Sequence, residues 1–289
     1  MNYQSKDDGS GSLVLQKYMD THKFLSLVQG KKLFMSKMSG FKDNLEGGLT
    51  ASDFFECTND ASIFDVAMNC RGAEASKLIE EINGRTFETI FGPQLKNDAV
   101  DFFYNAREWI YVSCWYKSNE ECPAMWDLYG GKNSVCIFTT EEKLRKVTLA
   151  NQDINNLVFE DVKYIGHKKD KHQGTLSPFK SKATPYCFEK EFRSIAWNDG
   201  AAPLSRKTNN LPGITSDEIN LNDFIDRVVI SPFSDSWYAE SIKSICAQYG
   251  VNVQVTESTL KTGRIDDLYN AMDSLEELIA LEDRRQRPA

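Results

Sequence analysis

Cys187-Phe188-Glu189-Lys190-Glu191-Phe192-Arg193-Ser194 alternates apolar and charged side chains, the period of a strand with one buried face. In that reading Glu189, Glu191 and Arg193 share one face. Phe188 and Phe192 lie on the other, which Lys190 interrupts. Two carboxylates two residues apart on a strand face repel unless something cationic sits over them. Arg193 is one such cation, and the positive part of a ligand is another. The strand is therefore either a structural ion-pair ladder or the acidic floor of an active site.

Working outward, the whole stretch Tyr186 to Trp197 is predicted as a strand. Leu13 to Tyr18, Leu33 to Ser36, Trp109 to Tyr116, Ser134 to Thr139, Leu157 to Ile165, Phe224 to Ile230 and Val251 to Val255 read as strands too, rich in β-branched and aromatic residues. Helices are predicted over 22–28, over most of 73–108, after Pro123 until Gly130-Gly131, from Glu141 to Thr148 with Thr140 as cap, and over 237–249. The helix from Asn97 to Glu108 is expected to bury Val100, Phe103 and Ala106. Strands and helices mix without regular βαβ alternation, so the fold class is α+β. Residues 13–258 read as a single domain with a helical insertion at 53–108. Residues 1–12 are small and polar and read as a flexible N-terminus. At 264–286, Leu268, Ala271, Met272, Leu275, Leu278 and Ile279 recur at helical spacing, with acidic residues opposite, so a C-terminal amphipathic helix is expected.

The 289 residues are 41% hydrophobic and 26% charged, an ordinary globular balance. No apolar run approaches membrane-spanning length, and the start has no apolar core behind a basic lead, so a soluble cytoplasmic protein without membrane contact is expected. Seven cysteines at irregular spacings, none as C-x-x-C, argue against a disulfide framework and a structural zinc site. The net charge of −8 argues against general nucleic-acid binding. Lys163-Tyr-Ile-Gly-His-Lys-Lys-Asp-Lys-His172, followed by Lys180 and Lys182, is nonetheless locally basic. Lys168, Lys169 and Lys171 there are candidate contacts to phosphates of NAD or RNA, and a solvated loop is the plainer reading. His167 and His172 lack a third ligand of known type, so no metal is expected. No glycine-rich phosphate loop occurs, and three histidines leave few bases for a catalytic triad.

Three groups of motifs fall in a suggestive order. Lys17-Tyr18, Gly30-Lys-Lys-Leu-Phe-Met-Ser36 and Phe41-Lys-Asp-Asn-Leu-Glu46 come first, Ser113-Cys-Trp-Tyr116, Met125-Trp-Asp-Leu-Tyr129 and Val135-Cys-Ile137 next, and Phe188-Glu-Lys-Glu-Phe-Arg193 last. This ordered set, over roughly residues 13–256, resembles the family catalogued as domain of unknown function 2971. It departs from that pattern in the helical block and in having Lys-Asp-Asn in place of an Asn-Asp-Pro turn. The opening also resembles, more distantly, ADP-ribosyltransferases. That likeness implies a mainly antiparallel split sheet with peripheral helices, NAD as substrate, and a catalytic glutamate on a late strand. It places Lys17 or Tyr18 at the nicotinamide-side anchor and Ser36 or Ser113 at the nicotinamide ribose. Tyr116, Trp126 or Tyr129 would stack on a ring, and Arg193 joins this cofactor-binding set. No His or Arg stands at the anchor position.

Breaking the nicotinamide–ribose bond develops an oxocarbenium-like cation, which a fixed carboxylate such as Glu191 stabilises. Glu189 would orient or deprotonate the acceptor. Under the resemblance the protein is a toxin or anti-phage defence effector that modifies RNA or protein and is restrained by an antitoxin or chaperone partner. The alternative from a different class is a non-enzymatic sensor or interaction module in which the glutamates are structural.

Overall fold

The computed structural model describes residues 13–43, 45–151 and 153–261. The expected flexible N-terminus at 1–12 and the amphipathic helix at 264–286 lie outside the described residues.

Strand β1 (Val14–Asp20) runs into the helix Thr21–Gly30, whose first turn is capped by the Asp20 carboxylate accepting from the Lys23 N–H. Strand β2 (Phe34–Lys37) follows. Next comes a helical block, Ala51–Cys57, Asp60–Asn69, Gly72–Asn83 and Ala99–Ala106, holding a small ribbon of β3 (Thr86–Phe87) and β4 (Gln94–Leu95). β5 (Ile110–Lys117) and β6 (Ser134–Thr140) flank the short helical turn Pro123–Gly130. β7 (Asn156–Asp161) and β8 (Lys163–Ile165) come next, where a single strand 157–165 is predicted from sequence. β9 (Ser181–Ala183), β10 (Glu191–Trp197), β11 (Gly213–Thr215) and β12 (Arg227–Ile230) lead to the helix Tyr238–Gln248 and β13 (Gln254–Glu257). The fold is α+β, built on one nine-stranded mixed sheet whose pairs are antiparallel except β12 with β13.

The centre of that sheet is β5. One of its edges is zipped to β10 along its length, from Glu191 opposite Tyr116 to Trp197 opposite Ile110, and β7 lies beyond β10. The opposite edge is shared. β1 takes the C-terminal end (Leu15 with Lys117, Gln16 with Tyr116), and β2 takes the N-terminal half (Ser36 with Val112, Lys37 with Tyr111). Among the described residues no strand pairs with 113–115 on this edge. β1 and β2 therefore splay apart, and the sheet is split.

Strand alternation decides what covers each face. Leu15, Met19, Trp115, Ile137 and Phe192 face one core, closed by Phe24, Val28, Phe224, Ile242 and Cys246 from the flanking helices. On the other face Ile110, Val112, Ile195 and Trp197 pack against Phe102, Phe103 and Ala106 of the helical block. Farther along that face the turn 123–130 lays Met125 and Trp126 over Tyr18, Tyr116 and Phe138. The region between these two covers is left to charged groups.

Two further element-level expectations change. The helix Ala99–Ala106 buries Phe102 and Phe103, while Val100 is 54% exposed, so its inward face is rotated from the predicted one. The reason is aromatic: Phe102 and Phe103 meet Phe87, Phe91 and Phe179 edge-on or stacked, and these contacts outweigh burial of one valine. The strand expected from Tyr186 begins only at Glu191, because Thr184–Glu189 is a 3-10 turn opened by Pro185. Phe102→Ala should lower the unfolding free energy by about 3–5 kcal/mol, and Val100→Ala by less than about 1 kcal/mol. Urea denaturation of both variants checks this rotation, and equal losses would contradict it.

Candidate functional site

The split exposes backbone that a continuous sheet would satisfy. Lys17 fills it: its Nζ donates to the Cys114 carbonyl at 2.8 Å and to the Ser113 Oγ at 3.1 Å, and stands 5.0 Å from the centre of the Trp115 ring. Among the described residues it has no carboxylate within salt-bridge distance. Burial pulls the pKa of this ammonium down, against the raising influence of Cys114 and Glu191.

The charged cluster lies across the sheet from there. Register puts Cys114, Tyr116, Glu191 and Arg193 on one face. Lys190 ends the 3-10 turn with a φ of 38°, a left-handed conformation, and this breaks the alternation read from the sequence. Glu189 thus reaches the cluster from the turn, and Glu191 from the strand. Between them sits Lys182 of β9, with its Nζ 2.6 Å from Glu189 Oε2, 3.3 Å from Glu191 Oε2 and 3.3 Å from Glu46 Oε1. The Arg193 Nε donates to Glu191 Oε1 at 2.6 Å and one terminal nitrogen to Glu191 Oε2 at 3.0 Å, a bidentate fork. The same terminal nitrogen also donates to Glu46. The Tyr129 hydroxyl donates to Glu189 Oε1 at 3.0 Å, and the Tyr164 hydroxyl accepts from the Glu191 N–H at 2.8 Å. All five charged side chains are buried.

Three carboxylates against two cations leave the cluster one negative charge in excess. Burial alone would raise the pKa of Glu191, but Arg193 and then Lys182 outweigh it and bring it to about 2. Burial would likewise depress Lys182, and the three glutamates reverse this, so its ammonium stays charged. Burial raises Glu46 above its ordinary range despite Arg193 and Lys182. The Tyr164 phenol is pushed up to about 12, mainly by burial.

Beside the cluster is a cleft of about 940 Å³ that passes through the split. Lys17, Lys23 and Lys32 stand at one end, with Ser26, Leu27 and Leu33. Glu46, Glu189 and Glu191 with Lys182 stand at the other, rimmed by Tyr129 and Tyr186. Of the residues singled out from sequence, Lys17, Tyr18, Ser36, Tyr116, Tyr129, Glu189 and Glu191 line this one cleft.

Four expectations need correction. Ser113 is buried under Lys17 and faces a small apolar void near Leu144 and Phe159, not the cleft. Trp126 is fully buried edge-on to Tyr18, its indole N–H donating to Glu121 at 3.0 Å, so it has no free ring face for a ligand. Arg193 is fully buried and serves the glutamates. Within the stretch read as a basic loop, Lys168 and Lys169 are exposed, but Lys171 pairs with Glu56, and His172 is buried against Asp53, which closes the capping box of the helix Ala51–Cys57 with Thr50. Glu46 and Lys182 belong to the site although neither stands out by sequence pattern: Glu46 is the last residue of an opening motif, and Lys182 follows a locally basic stretch. Its neighbours Ser181 and Ala183, small and apolar-compatible, were the available sign of burial.

Compared with known proteins, the chain matches no family model, no curated protein and no solved structure.

Glu191 has a folded pKa below its unfolded value of about 4.5, so its contribution is present above pH 4.5 and is lost as pH falls towards 2. Glu191→Gln should lower stability at pH 7 by about 1–3 kcal/mol. It should also flatten the fall in stability between about pH 4.5 and 2. Unfolding titrations of both proteins across that range test this, and an equally steep fall in the variant would refute the assignment.

Proposed function

We propose that the cleft binds NAD and that the protein transfers ADP-ribose from it to an acceptor. One observation carries this reading: a single cleft has a lysine without an acidic partner at one end and a carboxylate cluster in negative excess at the other. The diphosphate of NAD finds cations at the Lys17, Lys23 and Lys32 end, a role for Lys17 that departs from the nicotinamide-side anchor the resemblance implies. The ribose carbon, where positive charge develops, matches the glutamate end. In the reaction the bond between nicotinamide and ribose breaks, and its electron pair leaves with nicotinamide. The acceptor's lone pair then forms the new bond to the ribose carbon, and the acceptor proton passes to a carboxylate. Glu191 is held rigid by Arg193 and supplies fixed negative potential. Glu189 accepts from Tyr129 on one oxygen and from Lys182 on the other, without the guanidinium fork that holds Glu191, and is assigned to orient the acceptor or take its proton. The ordered motifs that resemble the family of domain of unknown function 2971, and more distantly ADP-ribosyltransferases, support the same reading. They add the roles of toxin or anti-phage effector and of an antitoxin or chaperone partner.

A second reading, a non-enzymatic sensor or interaction module, is favoured by the chelation of Glu191. Both of its oxygens are already taken by one guanidinium.

Purified protein with NAD should release nicotinamide, and Glu189→Gln should slow this by about 10²–10³-fold. Saturating NAD at about 100 times its dissociation constant should stabilise the protein by about 2.7 kcal/mol. Stabilisation without turnover would favour the second reading. Neither effect would reject NAD.

A further inference from the structure

We propose that the surface around β8 and β9, beside the cleft mouth, binds single-stranded nucleic acid. Many lysines elsewhere on this acidic protein are matched by carboxylates, such as Lys132 by Asp235, Lys143 by Asp226 and Lys146 by Glu142, while others, such as Lys77 and Lys207, are exposed with none within salt-bridge distance among the described residues. Lys163, Lys168, Lys169 and Lys190 are exposed and, among the described residues, have no carboxylate within salt-bridge distance. The one acid of this loop, Asp170, is exposed and accepts from the Gly166 N–H at 2.6 Å rather than pairing with a lysine. On a protein with a net charge of −8, four unmatched positive charges thus fall within the one segment 163–190.

Lys182 of β9 and Tyr186 and Glu189 of the following turn line the cleft, which places this segment beside it. β8 and β9 form a parallel ribbon, and Ile165 at its end packs with Leu45 and Ala183. The loop bearing Lys168 and Lys169 leaves from there, tied to the helical block by the Ala51 N–H donating to the His167 carbonyl. β9 leads directly into the 3-10 turn, which exposes two aromatic rings, Tyr186 (37% exposed) and Phe188 (39% exposed), and ends at Lys190. Tyr186 itself lines the cleft, and the Lys182 ammonium sits 5.0 Å from its ring. Unmatched lysines beside exposed ring faces are what a polynucleotide needs: cations for the phosphates and flat surfaces for unstacked bases. Duplex bases are already stacked and cannot use the rings, which selects for single strands. Binding stands on this surface alone. That the bound strand is the acceptor, with a base or sugar delivered to Glu189, rests on the reading of the cleft given above.

Fluorescence anisotropy of full-length protein with a labelled oligouridine of about 20 nucleotides, the matching oligothymidine and a duplex of equal length tests the proposal, at about 50–200 mM salt and without NAD. Single strands should bind at least about tenfold more tightly than duplex. Replacing Lys163, Lys168, Lys169 and Lys190 together by Ala should reduce the salt slope by up to about 3. Tyr186→Ala or Phe188→Ala should each weaken binding about 5–150-fold. The fourfold Lys→Arg variant should bind as the parent does, which separates charge from misfolding. The ratio of RNA to DNA affinity identifies the natural strand. No binding at low salt, equal binding of duplex, or binding insensitive to both aromatic variants would overturn the proposal. Because NAD is left out, failure here and failure of the NAD reading are separate results.

Discussion

Arg193 is the charge on which the site depends. A guanidinium taken fully out of water costs several kcal/mol unless paired and hydrogen-bonded. Here it holds both oxygens of Glu191 and reaches Glu46, 147 residues away in sequence, and one nitrogen also donates to the Phe179 carbonyl at 3.3 Å. One side chain thereby ties β10 to the loop after β2 and to the segment before β9. The pairing is not a net source of stability in itself, since a buried ion pair at best offsets its own desolvation. Its effect is on uniqueness: removing any partner leaves the others buried and uncompensated. The five charged groups are therefore fixed relative to one another, and a fixed field is what a site needs if it is to act on charge that appears during a reaction.

The split gives that field a place to act. Where β1 and β2 part, backbone would be orphaned, and Lys17 satisfies it with its own ammonium. A structural repair and a ligand-facing cation are the same atom. The acidic cluster opposite is excluded from the two apolar cores because the helical block and the turn 123–130 cover only the ends of that sheet face. Polarity of the cleft thus follows from which parts of the sheet are covered and which are not.

Much of the framework was readable from residue patterns. β5 and β6 are dense in β-branched and aromatic residues, and the helix Tyr238–Gln248 carries its apolar stripe at i, i+4 spacing, so each stands where expected. Glu189, Glu191, Lys17 and Tyr129 do share one cleft. Three things were not legible. The alternation across 187–194 is genuine in sequence but is broken in space by the left-handed Lys190, which periodicity does not register. The burial of Lys182 depends on carboxylates contributed by residue 46 and by the next turn, a long-range fact. The small residue Ser113 and the large Trp126 were both assigned to a ligand by motif position, yet each is consumed by packing, since their side chains face the covered part of their own element.

The interrupted edge of β5 also has a mechanical meaning. On its β10 side the hydrogen-bond ladder is continuous, and on the other it lapses over three residues, bridged by a single flexible lysine. Bending stiffness of a sheet comes from that ladder. The flank carrying β1 and β6 and the flank carrying β2 and β11 meet along this seam only through β5, but the apolar core of Leu15, Met19 and Ile137 continues across it to Leu33 at the start of β2. Side-chain packing, and not the ladder, therefore sets the angle between the flanks and with it the width of the opening.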